Sequence, residues 1–205
     1  MNSKRDAVVL VHGLGAHRLI FRPLEGSLRG DFGQLVNWGY SSLWSPIERH
    51  GHALAELLRR LADENAEQRI HLVTHSMGSI IGRLALAEFR PENFGRFVMI
   101  APPNRGSRVA RRLAPYFGRF CPPLSQLTDD ESSYVCQLPG CASEEFGVIA
   151  ATIDYLVHEP STHLPGERDH IVLPGLHSSL LWKRETAEQV RHFLWNGRFR
   201  RASAA

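Results

Sequence analysis

The chain has 205 residues, 43% of them hydrophobic and 22% charged, an ordinary globular composition with enough length for one domain and a sizeable core. A net charge of +3 is too mild to imply a nucleic-acid partner, and no nucleic-acid motif accompanies it. No apolar run approaches the ~20 residues of a membrane span, and the charged start Met1-Asn-Ser-Lys-Arg meets too short an apolar stretch for a signal peptide, so a cytoplasmic protein is expected.

Ala7 to Val11 is a pure apolar strand that ends at His12-Gly13-Leu14-Gly15. Phe21-Arg-Pro23 to Leu28 reads as a helix with proline near its first turn, and Gln34 to Trp38 as the next strand. Tyr40 leads into a loop, Ser41 to Ile47, that carries Trp44 and Pro46. Glu48 to Ala66 sets Leu54, Leu57, Leu58 and Leu61 on one face of an amphipathic helix. Ile70 to Val73 is a short buried strand, and the helix after it runs until Arg90-Pro91 stops it. Arg96 to Ala101 is another strand, broken by Pro102-Pro103-Asn104-Arg105-Gly106-Ser107.

A long segment without strand pattern follows, with one short helix near Ser107 to Leu113; connections of this length act as functional loops or lids. Phe146 to Ile153 is a strand that ends at Asp154, and His170 to Leu173 one that ends at Pro174-Gly175-Leu176-His177. Thr186 to Trp195 is a closing helix capped by Asn196-Gly197, with a basic tail expected to be loose over 198–205. Strands that alternate with helices imply one α/β domain, residues 1–205, whose parallel sheet is covered on both faces and carries a lid at about 105–145.

The informative stretch is Val73-Thr-His-Ser-Met-Gly78. A serine here occupies a sharp strand-to-helix turn, where strained backbone lifts its Oγ clear of the sheet edge and the helix N-terminus offers unpaired N–H groups. Small residues are required where strand and helix come so close; Gly78 and, one turn later, Gly82 meet that need. This turn, with His12-Gly13 after the first strand and the Ala-Pro-Pro-Asn-x-Gly-Ser run, resembles the α/β-hydrolase family, in particular its small bacterial lipase- and esterase-like members. Thr74 stands where the usual G-x-S-x-G pattern has its first glycine.

The resemblance implies a minimal fold of six parallel strands in the order 2-1-3-4-5-6, with an active site at their C-terminal edge. It also implies a nucleophile, an acid and a histidine in that chain order, and two backbone oxyanion donors. Ser76, Asp154 and His177 fit the order, and Leu14 and Met77 are the expected N–H donors. Asp154 is preferred to Asp169 because it follows its strand as Ser76 and His177 follow theirs, whereas Asp169 precedes one. Asp129 and Asp130 read as a solvated lid turn.

The expected activity is ester hydrolysis of a small-molecule or lipid substrate, without metal or organic cofactor. A thioesterase, amidase or acyltransferase on the same residues, or a non-catalytic binding module of the same fold, are the alternatives. Leu14, His17, Met77, Tyr116, Phe117 and Phe120 are candidate pocket residues. Arg108, Arg111 and Arg112 share a helical face; such a run is ordinarily solvated, and its other use would be contact with anionic substrates or a membrane surface. Cys121, Cys136 and Cys141 are an odd number of thiols at loose spacing and suggest neither a disulfide framework nor a zinc site. A monomer is expected.

Overall fold

The computed structural model describes residues 6–141 and 145–201. Six strands form one parallel sheet: β1 Ala7–Val11, β2 Gln34–Trp38, β3 Ile70–His75, β4 Phe94–Ile100, β5 Glu145–Ala151 and β6 Asp169–Leu173. Their spatial order is β2-β1-β3-β4-β5-β6, as expected, with the chain crossing over between β2 and β3. The strands are short and apolar because both faces are covered. Alternate residues of one strand therefore feed two separate cores.

Val9, Val11 and Leu72 point to the first core, which α2 (Ile47–Glu64) and α3 (Met77–Glu88) close. Val8, Leu10 and Val73 point to the second, closed by α1 (Arg22–Leu28) and α7 (Arg184–Asn196). In α2 the residues Ile47, Leu54, Leu58 and Leu61 are buried, which is the stripe that its apolar spacing predicts.

The lid segment holds three helices where one was expected: α4 (Arg108–Phe117), α5 (Pro122–Gln126) and α6 (Tyr134–Gln137). α4 starts on Ser107, whose side chain accepts from Ala110 N, and it runs through Pro115 to Phe117. Its base is pinned, since Ser107 N donates to Leu127 O at 2.8 Å and Ser107 pairs with Thr128.

The expectation of a loose tail needs correction over 198–201. Phe199 is only 2% exposed and packs on Phe193, and its N–H donates to Asp169 Oδ2 at 2.7 Å. Arg200 N donates to Gln189 Oε1. One apolar side chain amid Arg198, Arg200 and Arg201 is enough to tie the segment down; residues 202–205 lie outside the described residues.

β1 and the start of α3 approach each other closely. A Cβ added at Gly78 would sit 2.4 Å from Val11 O and 2.6 Å from His12 O, both rigid backbone atoms. Gly78→Ala should therefore destabilise the protein by about 1–3 kcal/mol. Gly26→Ala, inside α1 where an added Cβ meets nothing within 4 Å, should be neutral or stabilising by about 0.5–1 kcal/mol. Urea midpoints of the two variants provide the check; equal stability of Gly78→Ala and wild type would refute the close-packing account.

Candidate active site

β1, β3, β5 and β6 all deliver their C-terminal ends to one edge of the sheet, and the chemistry-bearing residues follow those ends. After β3 the chain turns at Ser76, whose φ of 53° and ψ of −127° are an unfavourable combination for a residue with a Cβ. Three hydrogen bonds hold the turn. Ser76 N donates to Ile100 O at 2.9 Å, Ser79 N donates to Ser76 O at 2.9 Å, and the Thr74 and Ser79 hydroxyls meet at 2.8 Å. The last bond explains how threonine is accommodated in the usual glycine position: its buried hydroxyl has a partner one turn into α3.

The loop after β1 lies directly on this turn. A Cβ at Gly13 would fall 2.9 Å from Ser76 Cβ. Gly15 N donates to Ser42 Oγ, and Tyr40 Oη donates to His12 O at 2.6 Å while its ring stacks on His12 at 4.3 Å. Leu14 is the next residue in this fixed loop, and Met77 opens α3. Among the described residues neither Leu14 N–H nor Met77 N–H has a protein acceptor, so both can donate to a ligand.

His177 follows β6 and Asp154 follows β5. His177 Nδ1 donates to Asp154 Oδ2 at 2.6 Å, with side chains only 9% and 2% exposed. Asp154 Oδ1 accepts from Leu156 N and Val157 N, both at 2.9 Å. Burial alone would raise the pKa of this carboxyl, but the His177 hydrogen bond and charge and the two backbone N–H groups outweigh it and leave it below the usual value. Asp169 is engaged elsewhere, with Phe199 N, His170 N and the Arg201 guanidinium. It pairs in register with Gly147, four residues before the Ala151–Leu173 pair that ends the ladder.

His75 was not singled out from sequence. Its ring lies 4.8 Å from the His177 ring, and its Nε2 donates to His177 O at 3.2 Å. Burial, then the charge of His177, push its pKa down to about 3, so it stays neutral and fixes His177 without adding charge. A second silent pair is Asn104 and Arg83. Asn104 Nδ2 donates to Thr162 O at 2.7 Å, and its Oδ1 accepts from Arg83, which also donates to Leu138 O and Pro139 O. The asparagine of the Pro-Pro-Asn run thus ties the lid, the elbow helix and the β5–β6 connection together.

Ser76 and His177 open into a cavity of about 220 Å³. Its walls are Leu14, Val109, Ala110, Leu113, Leu124, Leu127, Leu156 and Val157, contributed mostly by the lid and by the turn after Asp154. Tyr116, Phe117 and Phe120, expected as pocket residues, do not line it; they are 75%, 54% and 67% exposed. The reason is position along the helix: Tyr116 and Phe117 share the phase of Val109 and Ala110 but lie two turns farther on, past Leu113, and Phe120 follows the end of α4. His17 lines a separate surface groove with Arg18 and Ser41, and Met77 is wholly buried in the core. The basic face of α4 is also smaller than its sequence suggests. Arg111 lies 3.1 Å from Asp129 and 3.5 Å from Asp130, and Arg108 3.8 Å from Asp129. No disulfide joins Cys121, Cys136 and Cys141.

The depressed pKa of Asp154 fixes a sign. Its stabilisation is fully present above the unfolded carboxyl's pKa and is lost as pH falls through the lower folded value, so the window lies below about pH 4. Wild-type stability should fall in this window more steeply than that of Asp154→Asn. Denaturation midpoints across the acid range measure it, and parallel curves would remove the ionised-carboxylate assignment.

The model of a family described as "Alpha/beta hydrolase family" matches residues 8–200. The chain is 29% identical over 145 residues to a triacylglycerol lipase of Pseudomonas fragi, an alignment covering 66% of this chain and 48% of that protein. The chain thus spans about half the length of that relative. Among solved structures it is similar to the mature lipase BlEst2 of Bacillus licheniformis, with a TM-score of 0.68 at 15% identity over 87% of each chain. It is also similar to lipase B of Aspergillus fumigatus, with a TM-score of 0.73 at 17% identity over 94% of this chain and 53% of that one. A thermophilic esterase of Thermogutta terrifontis matches with a TM-score of 0.63 at 16% identity over 94% and 90%.

Proposed function

The chain belongs to the alpha/beta hydrolase family, and from that premise we propose that it is a serine hydrolase that cleaves carboxylic esters through an acyl-enzyme. The observation that carries this reading is the buried His177–Asp154 pair opening, with strained Ser76, into one apolar cavity. A serine hydroxyl is a poor nucleophile until a base takes its proton. Asp154 accepts from Nδ1 of His177, which sets the tautomer whose Nε2 carries the lone pair.

Ser76 Oγ attacks the ester carbonyl carbon as His177 Nε2 takes its proton. The Leu14 and Met77 N–H groups receive the oxyanion, each such donor contributing about 3 kcal/mol. The imidazolium then gives its proton to the departing alcohol, and the alkoxy–carbonyl bond breaks. Water, activated by the same nitrogen, adds to the acyl-enzyme, and Ser76 leaves with the proton. Every step uses this chain's own groups and water.

The cavity supports a limit on the acyl group. At about 220 Å³ it falls below the roughly 300–1,000 Å³ of sites that hold drug-sized ligands. The preferred substrates are therefore esters of short to medium acyl chains. The lipase names of relatives support adding lipid esters to the assay.

The decisive variant is Ser76→Ala, which should lower kcat on an aryl ester by up to about 10⁶ with the fold intact. Retention of a tenth of wild-type turnover would exclude Ser76 as the nucleophile. On the same ester Asp154→Asn should cost up to about 10⁴ through the wrong tautomer, while Asp169→Asn should stay within a few-fold. A larger defect in the latter would reverse the assignment of the acid.

A panel of esters and matching thioesters of rising chain length tests substrate choice. Wild type should lose kcat/KM beyond a medium chain length, and Leu127→Ala, which shortens a cavity wall, should move that cutoff to longer chains. An unchanged cutoff would mean that acyl groups do not occupy this cavity, and faster turnover of the thioesters would make the protein a thioesterase.

A further inference from the structure

The connection between β5 and β6 carries a second cluster of chemically capable side chains. Glu159 lies on a 3₁₀ turn (Glu159–Ser161), His163 follows four residues later, and His170 is the second residue of β6. Among the described residues this is the one group of three whose ligand atoms all lie within 4.8 Å of one another. We propose that Glu159, His163 and His170 form a binding site for a divalent transition-metal ion of the zinc class, separate from the catalytic groups.

The surroundings of the three side chains are those of oriented ligands. His163 Nδ1 donates to Glu167 Oε1, and Glu167 is itself held by Leu164 N, which donates to its Oε2 at 3.3 Å. A carboxylate behind one ring nitrogen fixes the other as the ligand. That other nitrogen, Nε2, donates to Glu159 Oε1 at 3.0 Å, so the proton between them occupies the place that a cation would take. Binding releases that proton and leaves the imidazole lone pair and the carboxylate oxygen on the ion.

One ring nitrogen of His170 is engaged as well. Thr162 Oγ1 donates to Glu159 O at 2.7 Å and accepts from His170 Nε2 at 2.9 Å, which leaves the lone pair on His170 Nδ1. The two imidazoles stack at 4.0 Å. They must swing from parallel to converging for the ligand atoms to close to the ~3.3 Å spacing of a tetrahedral ion with 2.0–2.1 Å bonds. The side chains of His163 and Glu159 are 39% and 40% exposed, so the ion enters from solvent and water fills the remaining position.

Two imidazoles and one carboxylate suit zinc and its neighbours rather than calcium or magnesium, which require oxygen ligands. Glu159 lies five residues after Asp154, and His170 seven before His177. An ion here would staple the connection whose ends present both groups, with no part in the reaction itself.

The full-length protein, stripped with a chelator, is titrated with Zn²⁺ against a chromophoric competitor. One ion per chain should bind. Glu159→Gln with His170→Ala should weaken it at least about 100-fold, and Glu167→Gln about 10- to 100-fold. Replacing Cys121, Cys136 and Cys141 by serine should leave binding unchanged. Saturating Zn²⁺ should raise the Tm of wild type and not that of the double variant. The single variant Glu159→Gln, which keeps the side chain's shape, covers the case in which the double variant fails to fold. Co²⁺ bound to wild type should show a ligand-field spectrum without a thiolate charge-transfer band. The absence of a saturable ion in wild type, undiminished binding in Glu159→Gln, or loss of binding in the cysteine variant would each overturn the proposal. Ester hydrolysis by the stripped protein is a separate readout, so failure here leaves the catalytic reading standing.

Discussion

The structure turns on how closely the elbow helix approaches the first strand. With Gly78 against the carbonyls of Val11 and His12, no side chain separates α3 from β1. That contact sets Ser76 beside Gly13 and brings the loop after β1 within reach of whatever the serine binds. The unfavourable backbone at Ser76 is of order 1–3 kcal/mol. It is over-determined by the hydrogen bonds of Ser76 N, Ser76 O and the Thr74 hydroxyl and by packing on both sheet faces. Strain of this kind persists only inside a rigid surround, and two separate cores supply one.

Charge in the site is arranged with equal economy. Three histidines, His12, His75 and His177, gather near the serine, but their surroundings make them unequal. His75 and His12 are buried without a carboxylate partner, and burial is the largest influence holding both pKa values down. Of the three only His177 has a carboxylate partner, Asp154, whose pKa the His177 hydrogen bond helps to hold down. The neutral His75 serves as a strut against the His177 backbone, and the Tyr40–His12 stack does the same beneath the loop after β1.

The sheet order was legible because hydrophobic runs that alternate with amphipathic helices leave few ways to wind a parallel sheet. The contact of Asp154 with His177, and its absence for Asp169, was legible from strand direction alone. The cavity was not. Its walls are ordinary leucines, valines and an alanine, indistinguishable in sequence from core, while the conspicuous aromatics Tyr116, Phe117 and Phe120 face outward. Tyr116 and Phe117 share the phase of the lining residues Val109 and Ala110, and the sequence does not mark where along α4 the cavity ends. The structural role of Asn104 was equally hidden, since its partners Arg83 and Thr162 lie 21 residues before it and 58 after it. The bound tail escaped notice because one buried phenylalanine among arginines carries no periodicity.

The lid's construction bears on how the cavity works. Gly106, with φ of 78°, lies so close to Thr128 that an added Cβ would fall 2.2 Å from its carbonyl oxygen. Ser107 reaches in two directions from the same point, its N–H to Leu127 O and its hydroxyl to Leu156 O at 2.6 Å. Leu127 and Leu156 are both cavity walls, and Leu156 N is one of the two groups that hold the Asp154 carboxylate. One serine therefore couples the start of α4 and the end of α5 to the loop that holds Asp154. The segment is fastened at its base and again by Arg83, which donates to Leu138 O and Pro139 O. The cavity walls and the Asp154–His177 pair thus share one support.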